Sequence, residues 1–226
     1  MAGHLMRQEV PRKWPVERKG TTYIVRPKFG IQDGVPVLVI LREITKLVQN
    51  RREAKRIIHA RQILVNEKPV KDEKLNVLFL DTINILPLKK CYRLELSDNG
   101  KFKLEGIKEN EANRKVAKIT NKKLLKGKKL QLNLSDGRNF LSDIKCSTND
   151  SVLINLKEGK IEKCLPLKEK AKVTVYSGKH IGKKGEIIGF NTEDGTAKVK
   201  SEDKEMNILI KQLIVTEWKQ KIRWEK

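Results

Sequence analysis

Two rhythms of apolar and polar residues run along this chain. Between residues 37 and 48, Ile40, Leu41, Ile44, Leu47 and Val48 recur at the three- and four-residue spacing of a helix. A second helix is predicted to follow Asn50. Asn50 is a suitable N-cap, and Glu53 stands at the third helical position, so the two form a pair like a capping box. The apolar side of that helix is Ala54, Ile57 and Ile58. Arg52, Lys55, Arg56 and His59 return together to another face. Residues 63–70, Ile-Leu-Val-Asn-Glu-Lys-Pro-Val, change to a strand, a turn and the start of a second strand. Asp81-Thr-Ile-Asn-Ile reads as a closing strand.

From Leu88 to Lys168 the pattern is one of short strands broken by turns. Ser97-Asp-Asn-Gly100 and Ser135-Asp-Gly-Arg138 are hairpin signals, and residues 129–134 alternate polar and apolar positions. Such spacing predicts a small β-barrel or sandwich. Strands resume from Ala171 to Val215, with a glycine- and lysine-rich loop from Ser177 to Gly185 and a turn around Asp194-Gly195. The first 36 residues have no period. They hold Pro11, Pro15, Pro27 and Pro36 among Arg7, Arg12, Lys13, Arg18, Lys19, Arg26 and Lys28, which predicts an extended basic arm that orders against a partner. Trp14, Tyr23 and Phe29 within it offer flat faces on which bases can stack. Trp218 and Trp224 lie in a basic tail that is either a docking segment or a cap on the last barrel.

Charge changes this picture most. Fifty Lys and Arg against 28 Asp and Glu give a net charge of +22 over 226 residues. The excess is spread out. Residues 1–86 carry 17 positive and 9 negative charges, residues 87–168 carry 20 and 10, and residues 169–226 carry 13 and 9. A polyanion is the natural partner, and a bias in every segment suits a protein embedded along RNA better than a body with one basic arm. Cys91, Cys146 and Cys164 are far apart and odd in number, which argues for a reducing compartment rather than a disulfide framework. The longest apolar run, Val35 to Leu41, is too short to span a bilayer, and the N-terminus lacks an apolar signal region. A soluble cytoplasmic protein is expected.

Four segments carry resemblances. Arg52-Glu-Ala-Lys-Arg56 on a helix, followed by Ile63-Leu-Val-Asn66 and the strand after Asp81, resembles the alpha-L RNA-binding domain. That domain usually has glycine where Arg61 and Glu67 stand, a change that bears on the turns and leaves the helix–strand frame. Val173, Val175, Gly178, Lys179, Gly182, Lys183, Gly185 and Ile187 resemble a KOW motif. Lys118-Ile119, Asn121-Lys122, Lys126-Gly127, Leu130-Gln131-Leu132, Asp136-Gly137 and Asn139 resemble the central domain of the eukaryotic- and archaeal-type small-subunit ribosomal protein "four-e" family. Pro11, Trp14, Arg18-Lys19, Arg26-Pro27 and Gly30 resemble its N-terminal arm, although Ile31-Gln32 replace its usual Pro-His.

The resemblance implies an α+β multidomain chain. Its parts would be an extended basic arm over 1–36, a small alpha-L RNA-binding domain over 37–86 and a central β-barrel-like domain over 87–168. An SH3-like KOW barrel over 169–216 and a tail over 217–226 would complete it. It implies a structural, non-enzymatic constituent of the small ribosomal subunit. Such a chain is monomeric within the ribosome, bound to ribosomal RNA and neighbouring ribosomal proteins, with no membrane, cofactor or small-molecule substrate.

The candidate RNA-binding residues are Arg12, Lys13, Trp14, Arg18, Lys19 and Arg26 in the arm. In the alpha-L segment they are Arg51, Arg52, Lys55, Arg56, His59, Arg61 and Lys68. Beyond it they are Lys122, Lys123, Lys126, Lys128, Lys129 and Arg138, then Lys179, His180, Lys183 and Lys184. For the lysine run, a solvated loop is the competing assignment. Gly178-Lys-His-Ile-Gly182-Lys183-Lys184 imitates a phosphate loop, but only three residues separate its glycines and no Ser or Thr follows the lysine. His4, His59 and His180 lack metal-ligand spacing. Two rival functions are an RNA-modifying enzyme, such as a pseudouridine synthase, targeted by an alpha-L domain, and a KOW-containing transcription elongation factor. The first needs a catalytic domain that the middle of the chain does not announce. The second leaves the arm and central segment unexplained.

Overall fold

The computed structural model describes residues 3–127, 129–142, 144–191, 194–201 and 204–216. It is mostly β-structure with a few short helices, and it divides into two compact units, Met1–Lys115 and Val116–Lys226.

The first unit opens with an antiparallel pair, β1 (Leu5–Met6) and β2 (Tyr23–Ile24). Arg7 ties the loop between them. Its guanidinium donates to the Glu17 and Thr21 carbonyls at 2.6 Å each and to Thr21 Oγ1 at 2.8 Å. Leu5, Pro11, Trp14 and Ile24 are buried, and Phe102 N donates to the Lys13 carbonyl at 2.8 Å. The arm expected to order against a partner is therefore a loop packed on its own unit. Burying a large apolar side chain is worth about 1.5–3 kcal/mol, so Leu5, Trp14 and Ile24 favour packing of this loop on its own unit.

After β3 (Gly34–Pro36) comes the predicted helix, which ends early. α1 (Val37–Val39) runs into a single wide π turn over Ile40–Ile44. The Thr45 hydroxyl donates to the Leu41 and Ile40 carbonyls at 3.0 and 3.3 Å, and Lys46 turns left-handed at φ 53°. Those bonds satisfy carbonyls that a longer helix would have used. Leu47 is consequently exposed while Val48 is buried.

α2 (Arg51–His59) forms as its sequence predicts. Asn50 Oδ1 accepts from Glu53 N at 3.0 Å, and the Glu53 carboxylate accepts from Gln49 N at 2.8 Å. Ala54 and Ile58 are buried beneath it. The helix closes with Arg61 N bonded to the Ile58 carbonyl and Gln62 N to the Ile57 carbonyl, the paired bonds of a Schellman ending. That ending needs a left-handed residue, and Arg61 supplies it at φ 55°.

β4 (Ile63–Val65) and β5 (Lys68–Pro69) form a hairpin with a two-residue turn, Asn66-Glu67, at φ 51° and 62°. Positive φ at both positions is the turn that matches strand twist. β6 (Asn76–Leu78) pairs with β3. β7 (Thr82–Ile85), β8 (Lys90–Leu96) and β9 (Phe102–Ile107) complete a sheet of order β5-β4-β7-β8-β9, flanked by α3 (Glu109–Ala112). β7 and β8 pair straight across the boundary expected between residues 86 and 87. The units divide after Lys115 instead, because the open side of β7 is satisfied by the strand that follows it.

Asp81 is the buried polar centre of this unit. It is 3% exposed. Its Oδ1 receives Asn66 Nδ2 at 2.9 Å and lies 2.6 Å from Lys115 Nζ, and its Oδ2 receives Leu78 N at 2.7 Å.

β10 (Arg114–Leu124), which lies in the second unit from Val116 onward, makes one sheet with β11 (Leu130–Leu134), β12 (Asn139–Leu141), β13 (Ser151–Asn155) and β14 (Lys160–Leu165), ordered β12-β11-β10-β13-β14. Its core holds Ala117, Ile119, Leu132, Leu134, Cys146, Val152 and Ile154. The predicted turn at Ser135-Asp-Gly-Arg138 joins β11 to β12, with Gly137 at φ 82°. A second sheet follows: β15 (Lys172–Val175), β16 (Lys184–Asn191), β17 (Thr196–Lys200), β18 (Glu205–Leu209) and β19 (Leu213–Val215), ordered β18-β17-β16-β15-β19. Lys118 joins the two sheets. Its Nζ donates to the Ile210 carbonyl at 2.5 Å and the Leu213 carbonyl at 2.8 Å.

Burial lowers the Lys118 ammonium from its usual 10.5 to about 8. Between those values the unfolded chain holds the extra proton, so this group's contribution to stability rises with pH across that window. Below pH 8 both states are protonated and the burial penalty is complete. Unfolding titrations of the wild type and Lys118→Met should diverge in the wild type's favour as pH rises from about 8 to 10.5. Parallel profiles would contradict the assignment. A second expectation concerns Arg61. A left-handed non-glycine residue costs about 1–2 kcal/mol, so Arg61→Gly should raise the melting temperature, and a lowered one would contradict the strain.

Candidate nucleic-acid interface

The outward side of α2 gathers most of the predicted alpha-L candidates. Arg51, Arg52, Lys55, Arg56 and His59 are all exposed, opposite the buried Ala54 and Ile58. They are not equivalent. Arg51 is held by the buried Glu73, with Nε 2.9 Å and Nη2 2.5 Å from Oε1, and Lys55 Nζ lies 4.0 Å from the same oxygen. Arg52 and Arg56 have no carboxylate partner among the described residues. Arg56 and His59 sit in the last turn, where the helix dipole favours positive charge.

The turns beyond α2 bring further cations close. Arg61 projects from the helix end, and Lys68 is exposed at the start of β5. Ile58, His59, Arg61, Pro69, Val70 and Lys71 line a cleft of about 450 Å³. Sequence periodicity did not single out Lys71. Its signal was its place two residues beyond the hairpin turn strand, which becomes meaningful only once β5 is folded back beside α2.

The arm candidates divide. Arg12, Arg18, Lys19 and Arg26 are exposed, and Lys13 is half-buried. Trp14 is 2% exposed, so its indole is core and cannot stack on a base in this fold; this corrects its place among the candidates. Tyr23 and Phe29 remain exposed, and Tyr23 packs edge-on against His4 with ring centroids 4.8 Å apart. Lys28 is engaged by Asp72 at 2.7 Å, and that hydrogen bond holds the Asp72 carboxyl below its usual range.

In the second unit, Lys123, Lys126 and Lys129 are exposed around the β10–β11 hairpin and Lys122 is half-buried, while Lys128 lies outside the described residues. Arg138 is half-buried with Nε 3.7 Å from Asp136 Oδ2, so a carboxylate competes for it. Lys179 and Lys184 are exposed, and His180 and Lys183 are half-buried. Gly178 bends this loop at φ 90°, a backbone that glycine adopts without the strain a side chain would bring. The loop leads into strand β16, and no helix N-terminus faces it. Trp218 and Trp224 lie outside the described residues.

Other basic residues serve the interior. Arg93 is buried, which pulls it down to about 10 against the opposing pull of Glu95, Glu111 and Glu105. Lys115 and Lys118 are likewise buried on carboxylate and carbonyl oxygens. Burial beside Cys146 and Asp150 pushes the Cys164 thiol up to about 12, which removes it as a nucleophile at neutral pH.

Residues 39–83, which hold α2 and the β4–β5 hairpin, match the S4 domain, and residues 88–161 match the Ribosomal family S4e. A small ribosomal subunit protein eS4 from Methanothermobacter thermautotrophicus is 36% identical over 191 residues, covering 83% of this chain and 79% of its own. Another from Caldivirga maquilingensis is 33% identical over 223 residues, covering 94% of each. The crystal structure of the 30S ribosomal protein S4e from Thermoplasma acidophilum superposes with a TM-score of 0.70 at 25% identity, covering 81% of this chain and 94% of that one. A capped basic helix and a tight hairpin within the S4-domain match, the S4e match over residues 88–161 and relatives 33–36% identical over 83–94% of its length identify this chain as a member of the small ribosomal subunit protein eS4 family.

Proposed function

We propose that this chain holds small-subunit ribosomal RNA chiefly through phosphate contacts, with the outward face of α2 as its principal anchor. As a member of its family it is a structural constituent of the small ribosomal subunit, acting in translation in the cytoplasm, and is not an enzyme. The observation that carries the RNA assignment is the stripe of Arg52, Lys55, Arg56 and His59, exposed along one helix face within the segment that matches the S4 domain. Phosphates displace counterions on meeting such a stripe, and arginine adds forked hydrogen bonds that lysine cannot make. Secondary contacts come from Arg12, Arg18, Lys19 and Arg26, from the Lys123, Lys126 and Lys129 hairpin, and from the Lys179–Lys184 loop. Recognition then depends on RNA shape more than on sequence.

In this account residues 169–216 act as a KOW-type SH3-like module, supported by the five-stranded sheet and the glycine-bent loop at its first turn. Neighbouring ribosomal proteins complete the partners, and the chain is a monomer among them. Relatives of nearly full length carry the ribosomal name, so neither a modifying enzyme nor an elongation factor has support.

The triple variant Arg52→Glu, Lys55→Glu, Arg56→Glu tests the anchor. Filter binding to small-subunit ribosomal RNA should show affinity lower by about two orders of magnitude, and a log–log salt dependence shallower by about three. Circular dichroism matching the wild type keeps the comparison fair. Unchanged affinity would remove α2 from the interface.

A further inference from the structure

We infer that the cleft between the end of α2 and the β5 strand receives one unpaired RNA nucleotide, its base inside and its phosphate at Arg61 and Lys71. The inference rests on the RNA assignment above and specifies what one part of that surface takes.

The cleft measures about 450 Å³, within the roughly 300–1,000 Å³ of small-molecule sites. Its floor is apolar. Ile58 and Val70 are buried and Pro69 stands beside them. Its rim carries the cations Arg61 and Lys71 beside His59, all three exposed. An aromatic ring with an attached anion is complementary to both parts at once, whereas a stacked duplex keeps its base faces covered and cannot place one on the floor.

The state of the rim charges strengthens this choice. Arg51, Arg138 and Lys28 each face a carboxylate. Arg61 and Lys71 have no carboxylate partner among the described residues. Arg61 also holds a left-handed backbone at φ 55°, which glycine would adopt at lower cost. What arginine adds there is a guanidinium beside the cleft. His59 adds a flat ring on which a base can stack. Val70 N is bonded to the Ile63 carbonyl at 3.1 Å, which holds the backbone next to Lys71 against β4.

The test uses the full chain and the fluorescent probe 2-aminopurine riboside 5′-monophosphate. Its emission should change saturably. Adenosine monophosphate should reverse the change, and ribose 5-phosphate at the same concentration should not. Arg61→Gly and Lys71→Ala should each weaken the titration about tenfold, as loss of one charged contact implies. Arg61→Gly relieves the backbone, so its loss of binding cannot be attributed to unfolding. Two results would overturn the inference: displacement by ribose 5-phosphate as effective as by adenosine monophosphate, or variant curves superimposing on the wild type. If the wild type binds small-subunit ribosomal RNA in a salt-dependent way yet shows no base-dependent response, the nucleotide cleft falls and the RNA assignment stands. If it fails to bind that RNA, the RNA assignment itself falls.

Discussion

A single buried carboxylate organises the first unit of this strongly basic chain. Asp81 receives Leu78 N, Asn66 Nδ2 and the Lys115 ammonium, and each bond fixes a different piece of chain. Leu78 N sets the corner between β6 and β7. Asn66 is held left-handed in the hairpin turn, and its own Oδ1 accepts from Thr82 N at 3.2 Å. Lys115 ties down the last residue of the unit. The hairpin that Asn66 shapes carries Lys68, and it places Val70 and Lys71 beside the end of α2. The cationic surface thus inherits its geometry from a polar contact that never meets solvent.

A chain of net charge +22 repels itself, and the fold answers by sorting its cations. Those inside are matched by oxygens: Lys115 by Asp81, and Lys118 by two carbonyls. Some on the surface are held by carboxylates, as Arg51 is by Glu73. The remainder, Arg52, Arg56, Arg61 and Lys71 among them, keep their charge available to a polyanion. Composition alone treats all of these alike, and only the folded positions separate scaffold from interface.

Sequence reading went furthest where local chemistry decides. The Asn50–Glu53 cap, the apolar side of α2, the two hairpin turns and the alternation over residues 129–134 all stand in the structure because each is written within a few neighbouring residues. It fell short where distant contacts decide. Trp14 looked like a surface ring because prolines and charges surround it, yet it is core. The helix from residue 37 stops at Ile44 because a threonine hydroxyl ends it, although the apolar spacing continues to Val48. β7 and β8 also pair in one sheet across residue 86, between the two family matches, and strand pairing leaves no mark in composition. Arg61 and Glu67 replace the glycines of a familiar frame and still adopt its left-handed backbone, so the frame survives at a cost in strain.

The most direct measurement is urea unfolding of Asp81→Ala beside Lys115→Met. Asp81→Ala removes the carboxylate that the buried Lys115 ammonium and the Asn66 and Leu78 donors share, so it should cost about 3–5 kcal/mol. Lys115→Met leaves Asp81 with its two hydrogen-bond donors, and should cost markedly less. Losses below about 1 kcal/mol for Asp81→Ala would contradict the account, because surface substitutions of no structural consequence do as much.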